Sequence, residues 1–266
     1  MPDKDDCFTE KPLKPVFSTD SIKEMMKTLL NFFYPRRCVL CRQSDLAMQS
    51  TDIDLCPACE QELPRIEHAC YQCGIPLAHT LTQATDQVLC GQCLQKTPLY
   101  DRVISLLHYQ PPVTWLVQQM KFHNKPSHAK LLSTLLLRRI QEDQLTLPEA
   151  IIPVPLHHKR QFQRGFNQSD EIARTLSKSL NCKLDRKLLK RMQNNRHQSG
   201  LNAKQRRQNV RGVFQLANNK PAYRHVAVVD DVMSTGSTVN EIARVLKRAG
   251  ITRVDVWVVA RAEAHR

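Results

Sequence analysis

The sequence predicts an α/β fold, a mostly parallel sheet flanked by helices, preceded by a small cysteine-rich domain. Three observations carry this. Residues 226–260 read strand, helix, strand within 35 residues, a crossover that makes the two strands parallel. Eight of the ten cysteines fall into four Cys-x-x-Cys pairs between residues 38 and 93. The charge divides nearby: through Tyr100 there are ten basic and thirteen acidic residues, net −3, and the remainder has 29 and twelve, net +17.

At 266 residues and 41% hydrophobic composition the chain can bury a core, which excludes global disorder and a fold held by disulfides alone. No apolar run approaches the roughly 18 residues of a membrane span. The polar, acidic start MPDKDDCFTE is unlike a secretory leader, so a cytoplasmic location is expected. In that reducing compartment paired cysteines point to metal rather than to disulfides. The expected division is a flexible tail at 1–20, an amphipathic helix with the cysteine-rich unit at 21–98, and the α/β domain at 99–266.

The helix is read from Ser21-Ile-Lys-Glu24, a capping box, and from Ile22, Met25, Met26, Leu29, Leu30 and Phe33 at helical spacing. Its apolar stripe suits packing on the rest of the protein or on a membrane surface. The cysteine pairs follow: Cys38 and Cys41, Cys56 and Cys59, Cys70 and Cys73, Cys90 and Cys93. Two intervening residues let both thiolates of a knuckle turn onto one ion. Gaps of 14 and 16 residues within the first and last two pairs match ribbon spacing. Two tandem four-cysteine zinc ribbons are therefore expected. All-cysteine sites leave no open coordination position, so both zinc ions are structural. Iron–sulfur spacings crowd three cysteines together, and one dithiol redox site has no use for four pairs. Residues 38–93 hold little apolar material, so the metal is expected to hold them folded.

Beyond Tyr100, Val103 to Tyr109 reads as a strand, and Val113 to Phe122 and Ser127 to Ile140 as helices, the second opened by Pro126. Ile151 to Val154 is a compact strand, Pro155 to Gly165 a loop with a solvated His157-His158 pair, and Asn167 to Leu180 a helix. Val226 to Val229 is apolar on both faces and therefore central. The helix through Val239, Ile242, Ala243 and Leu246 closes at Gly250, and Val254 to Ala260 returns as a strand.

In an open parallel sheet ligands bind beyond the carboxyl ends of the strands. There Val226–Val229 runs into Asp230-Asp231-Val-Met-Ser234-Thr235-Gly236-Ser237-Thr238. The loop amides and the following helix N-terminus suit a phosphate, Thr235 and Thr238 add hydroxyl donors, and Gly236 permits close approach. The carboxylates repel phosphate but suit the vicinal hydroxyls of a ribose, or Mg²⁺ reached through water. No Gly-Lys-Thr/Ser ending or glycine-rich dinucleotide fingerprint is present.

Residues 226–238 resemble the signature of type I phosphoribosyltransferases. With Arg164-Gly-Phe-Asn-Gln168 after Pro153-Val-Pro155, the Lys121-Phe122 region and Asn209-Val-Arg-Gly212-Val-Phe214, all behind four cysteine pairs, the chain resembles the ComF family of competence proteins. The resemblance implies that Asp230 and Asp231 take the ribose hydroxyls of phosphoribosyl diphosphate and that Ser234, Thr235, Gly236, Ser237 and Thr238 wrap its 5-phosphate. Lys159 and Arg160 would face the diphosphate with Mg²⁺. Residues 191–207, with Arg191, Arg196, Lys204, Arg206 and Arg207, would be a basic lid over the site or a contact for nucleic acid.

Two functions follow as expectations. One is transfer of the phosphoribosyl group in nucleotide or base salvage, where catalysis rests on positioning and electrostatics but a hood for the accepting base is needed. The other, favoured by the family resemblance, is handling or import of single-stranded DNA during natural transformation, alongside other competence or DNA-processing proteins. From Arg186 to Val229 there are eleven Lys or Arg and no acid, which suits a polyanion. Aromatics are only 6% of the chain, few for base stacking, with Phe122, Phe162, Phe166, Phe214 and Tyr223 as candidates.

Overall fold

The structure is a computed structural model, and it describes residues 36–44, 48, 52–78, 87–122, 126–193, 210–217 and 221–262. The amphipathic helix expected from Ser21 and the acidic tail lie outside the described residues. Within the cysteine-rich unit two five-residue helices, α1 (Pro57–Gln61) and α2 (Gly91–Gln95), each start at a cysteine of a pair. The α/β domain runs β1 (Arg102–His108), α3 (Val113–Phe122), α4 (Pro126–Glu142), β2 (Ala150–Pro153), α5 (His158–Arg164), α6 (Gln168–Leu180), β3 (Lys183–Leu184), β4 (Leu189–Arg191), β5 (Phe214–Leu216), β6 (His225–Met233), α7 (Ser237–Arg248) and β7 (Arg253–Arg261).

The main sheet has the order β1-β7-β6-β2-β3, and every pairing in it is parallel. As its sequence predicts, β6 is central, and alternation assigns its side chains to two cores. Ala227 and Val229 join α3, α4 and α6 on one face, while Val226 and Val228 join α7 and the β4–β5 hairpin on the other. β7 divides the same way, with Trp257 and Val259 on the first face and Val254, Val256 and Val258 on the second. The antiparallel β4–β5 pair brackets the segment expected to form the lid.

Residues 155–165 differ from their expected loop. Chain 158–164 is helical because His157 caps it, its Nδ1 accepting from the Lys159 amide at 3.3 Å, and Gly165 ends it at φ 75°. His157 is buried, not solvated. The next motif is a helix joint: Asn167 caps α6 through the Ser169 amide and donates to the Val154 carbonyl at 3.0 Å.

The cysteine-rich unit is not short of apolar material. Met48, Ile53, Leu55 and Leu63 are buried in the same core as Leu106, Leu116 and Trp257. Between the two ribbons, Arg65 bridges Leu107 in antiparallel register, and the Ile66 amide donates to the Leu106 carbonyl at 2.9 Å. That segment covers the outer edge of β1, an edge otherwise open to pairing with other chains. Arg138 of α4 binds Glu60 of α1 at 2.9 Å, and Arg139 donates to the Ile66 carbonyl at 3.1 Å.

A shared core makes the ribbon part of the domain's cooperative unit. Ile53→Ala is expected to destabilise the entire protein by about 2–5 kcal/mol. Trp257 emission should then report one unfolding transition, displaced to lower denaturant. A Trp257 transition that stays in place while a separate ribbon step moves would disprove the shared core.

Candidate functional site

The eight paired cysteines form two clusters, Cys38, Cys41, Cys56 and Cys59, and Cys70, Cys73, Cys90 and Cys93. Within each, all four sulfurs lie within 4.8 Å of one another, which is the sequential pairing expected from the spacing. Thiols so close cannot all ionise unaided. Side-chain hydrogen bonding from Cys73 draws the Cys70 thiol down to about 4, while the same bond and burial push Cys73 well above the ordinary thiol range. A divalent ion removes that conflict by taking all four thiolates, so both clusters suit a structural zinc.

The second cluster is built against the sheet. Gly74 has φ 65°, and a Cβ there would lie 2.6 Å from Val103 Cγ1 of β1. Ser105 Oγ donates to the Gly74 carbonyl at 2.9 Å. From the end of β7, Arg261, only 4% exposed, donates through Nε to the Cys73 carbonyl at 3.0 Å and through Nη1 to the Met233 and Ser234 carbonyls. One buried guanidinium thus joins a zinc knuckle to the loop after β6. Tyr100 reinforces the join: its carbonyl accepts from Gln72 Nε2, and its hydroxyl lies 3.1 Å from where a Cβ on Gly236 would stand.

The loop itself joins β6 to α7. Asp230 and residues 232–239 line a concavity of about 370 Å³ at the carboxyl end of the sheet. Gly236, at φ 71°, caps the twelve-residue α7, so that helix begins at the concavity. Thr235 Oγ1 and Ser237 Oγ are 2.8 Å apart. Ser234, Thr235, Gly236, Ser237 and Thr238 all line the site.

The acid pair is held from two other elements. Ser169 Oγ of α6 donates to Asp230 Oδ1 at 2.9 Å, and Lys121 Nζ of α3 lies 2.8 Å from Asp231 Oδ2. Desolvation, and then the neighbouring Asp231 charge, push Asp230 up to about 7. Burial acts to lower Lys121, but Asp231 and Asp230 outweigh it and hold the ammonium above the usual lysine range.

Of the residues expected to face the diphosphate, Arg160 is half-buried on α5 and Lys159 is exposed on the first turn of that helix, and neither lines the concavity. Burial and repulsion from Arg160 depress Arg191, which Asp230 partly offsets; burial and Arg164 depress Arg160. Arg191 thus lies within charge range of both Arg160 and Asp230, with its guanidinium over the buried Phe214 ring at 5.5 Å. Arg196, Lys204, Arg206 and Arg207 lie outside the described residues. Sequence reasoning missed Arg261 and Ser169 and gave Lys121 no role. An arginine inside an apolar strand end was the available signal for the first.

This is a double zinc-ribbon protein with a phosphoribosyltransferase-type domain. The double zinc ribbon domain family matches residues 29–94 and the phosphoribosyl transferase domain family residues 164–266. Competence protein F of Haemophilus influenzae is 38% identical over 88% of this chain and 100% of its own length. DNA utilization protein YhgH of Escherichia coli strain K12 is 37% identical over 85% of this chain and 97% of its own. Competence protein ComFC of Bacillus subtilis is 24% identical over 77% and 82%. The chain belongs to the competence protein F (ComF) family. Among the described residues no helix is long and apolar enough to cross a membrane.

Two outcomes test the site. Arg261→Met strands the Cys73 and Met233 carbonyls and should cost about 3 kcal/mol or more in denaturant titration, with metal analysis falling from two zinc ions toward one. Asp230, raised above its ordinary 3.8, binds its proton more tightly in the folded state. Its ionisation therefore costs stability as pH climbs from about 4 through 7. Asp230→Asn should melt higher than the unsubstituted protein at pH 8, with the gain fading to nothing near pH 4.

Proposed function

We propose that the chain handles single-stranded DNA in the cytoplasm during DNA uptake, and that its loop 230–238 binds phosphoribosyl diphosphate with Mg²⁺. The names of its relatives, competence protein and DNA utilization protein, support the first part. The observation that carries the second is the concavity where Asp230, the hydroxyls of 234–238 and the N-terminus of α7 meet.

The 5-phosphate sits on the amides of 234–238, where the α7 dipole and the buried Arg261 guanidinium add positive potential. The ribose hydroxyls donate to Asp230 and Asp231. Lys121 then exchanges its partner, leaving Asp231 for the diphosphate beside Arg160 and Arg191. Single-stranded DNA is attracted by the net +17 of the chain beyond Tyr100. Other competence or DNA-processing proteins would be its partners.

A second reading, phosphoribosyl transfer in salvage, is favoured by the presence of both carboxylates and the whole phosphate loop. It requires a base-binding hood, and the second ribbon, joined to the loop through Arg261 and Tyr100, is the element nearest that role. Release of diphosphate on addition of a free base is the outcome that selects it.

Calorimetric titration of the zinc-loaded protein with phosphoribosyl diphosphate and Mg²⁺ is expected to show saturable heat that Asp230→Asn with Asp231→Asn abolishes. Absence of heat in the unsubstituted protein removes the pocket assignment. For DNA, the affinity for an unstructured oligonucleotide should fall with salt, each neutralised phosphate adding about 0.7 to the logarithmic slope. A slope near zero counts against backbone recognition.

A further inference from the structure

Helix α3 has a solvent face that the fold does not use. Leu116, Val117 and Met120 are buried, whereas Trp115, Gln118 and Phe122 are exposed. Those three stand at i, i+3 and i+7, which places them in one stripe. Trp115 is 39% and Phe122 62% exposed, in a chain whose aromatics are 6% of all residues. About 10 Å of helix separates the two rings, with the Gln118 amide between them.

Each ring has cations beside it. Trp115 lines a groove of about 830 Å³ with Arg37, Arg42, Ser127 and Leu131. Arg37 and Arg42 are both exposed. The groove's carboxylate, Asp54, is paired with Arg36 at 2.7 Å. At the other end of the stripe the Arg164 guanidinium lies 5.4 Å above the Phe122 ring, and Arg160 stands one turn earlier on the same short helix. Trp115 is also propped by the His128 ring, with centroids 5.7 Å apart.

From this geometry we infer that the exposed face of α3 is a stacking platform for single-stranded DNA. Bases lie on Trp115 and Phe122, and Arg37, Arg42 and Arg164 hold the backbone. The inference rests on the DNA-handling reading and gives that reading its site. Flat rings set apart by a polar amide and flanked by guanidiniums suit bases joined by a charged backbone. A protein partner would call instead for a contiguous apolar patch. The stripe ends next to Lys121, which holds Asp231, so the strand would run from the first ribbon toward the phosphate loop.

Trp257 is fully buried and Trp115 is the exposed tryptophan, the chain having two. Titration of the zinc-loaded full chain with oligo(dT) is therefore expected to quench tryptophan emission through Trp115. Trp115→Ala and Phe122→Ala should each weaken binding roughly 5- to 150-fold and leave the salt slope unchanged, because stacking releases no counterions. Trp115→Phe should restore most of the affinity, which separates loss of stacking from loss of fold. Arg37→Gln with Arg42→Gln should lower the slope by about 1.4. Oligo(dT) bound at unchanged affinity by both alanine variants, or without quenching in the unsubstituted protein, overturns the platform while DNA handling stands. A protein that binds no oligo(dT) overturns both, and one that binds only oligo(U) reassigns the face to RNA.

Discussion

The buried guanidinium of Arg261 is the contact on which the site depends. It is 4% exposed, and its hydrogen-bond partners among the described residues are carbonyls from three places: the Cys73 knuckle, the end of β6, and Ala262. A buried cation is tolerated only when its donors are met. The Cys73 knuckle and the loop after β6 must therefore take up fixed positions around it. The same charge lies beside that loop, so one residue supplies both geometry and potential there.

The ribbons contribute more than metal sites. A parallel sheet of five strands has an exposed edge at β1, and the segment between the two zinc clusters pairs with that edge through residues 64–66. Buried side chains of the first ribbon continue the core beneath α3 and α4. Zinc thus sets the local turns, and burial against the sheet sets where the turns sit. The expectation that residues 38–93 hold little apolar material was too narrow, because Met48, Ile53, Leu55 and Leu63 look sparse in sequence but converge in space.

Charge in the site is layered. Two carboxylates lie innermost, one held by the Ser169 hydroxyl and one by Lys121, and Arg191 of β4 lies within charge range of Asp230. Asp230, desolvated and beside Asp231, is held above the ordinary carboxylate range although it accepts from the Ser169 hydroxyl and the Asp231 amide.

Much of this was legible in the sequence where information is local. Cysteine spacing determined which thiols share an ion, alternation determined that β6 is central, and Asp230 to Thr238 determined the loop. Short-range geometry leaves few choices in each case. The helix at 158–164 escaped because its cap is a histidine, a residue without a strong cap signature. Only the tertiary structure decided that Lys121 meets Asp231, that Ser169 meets Asp230, that Arg261 ties Cys73 to Ser234, and that Trp115 and Phe122 face solvent while Phe214 is buried. Each of those pairs spans a long stretch of chain, and among 39 basic residues composition cannot say which one is carried to a given acid or carbonyl. That is fixed by strand order and by the angle at which each helix crosses the sheet.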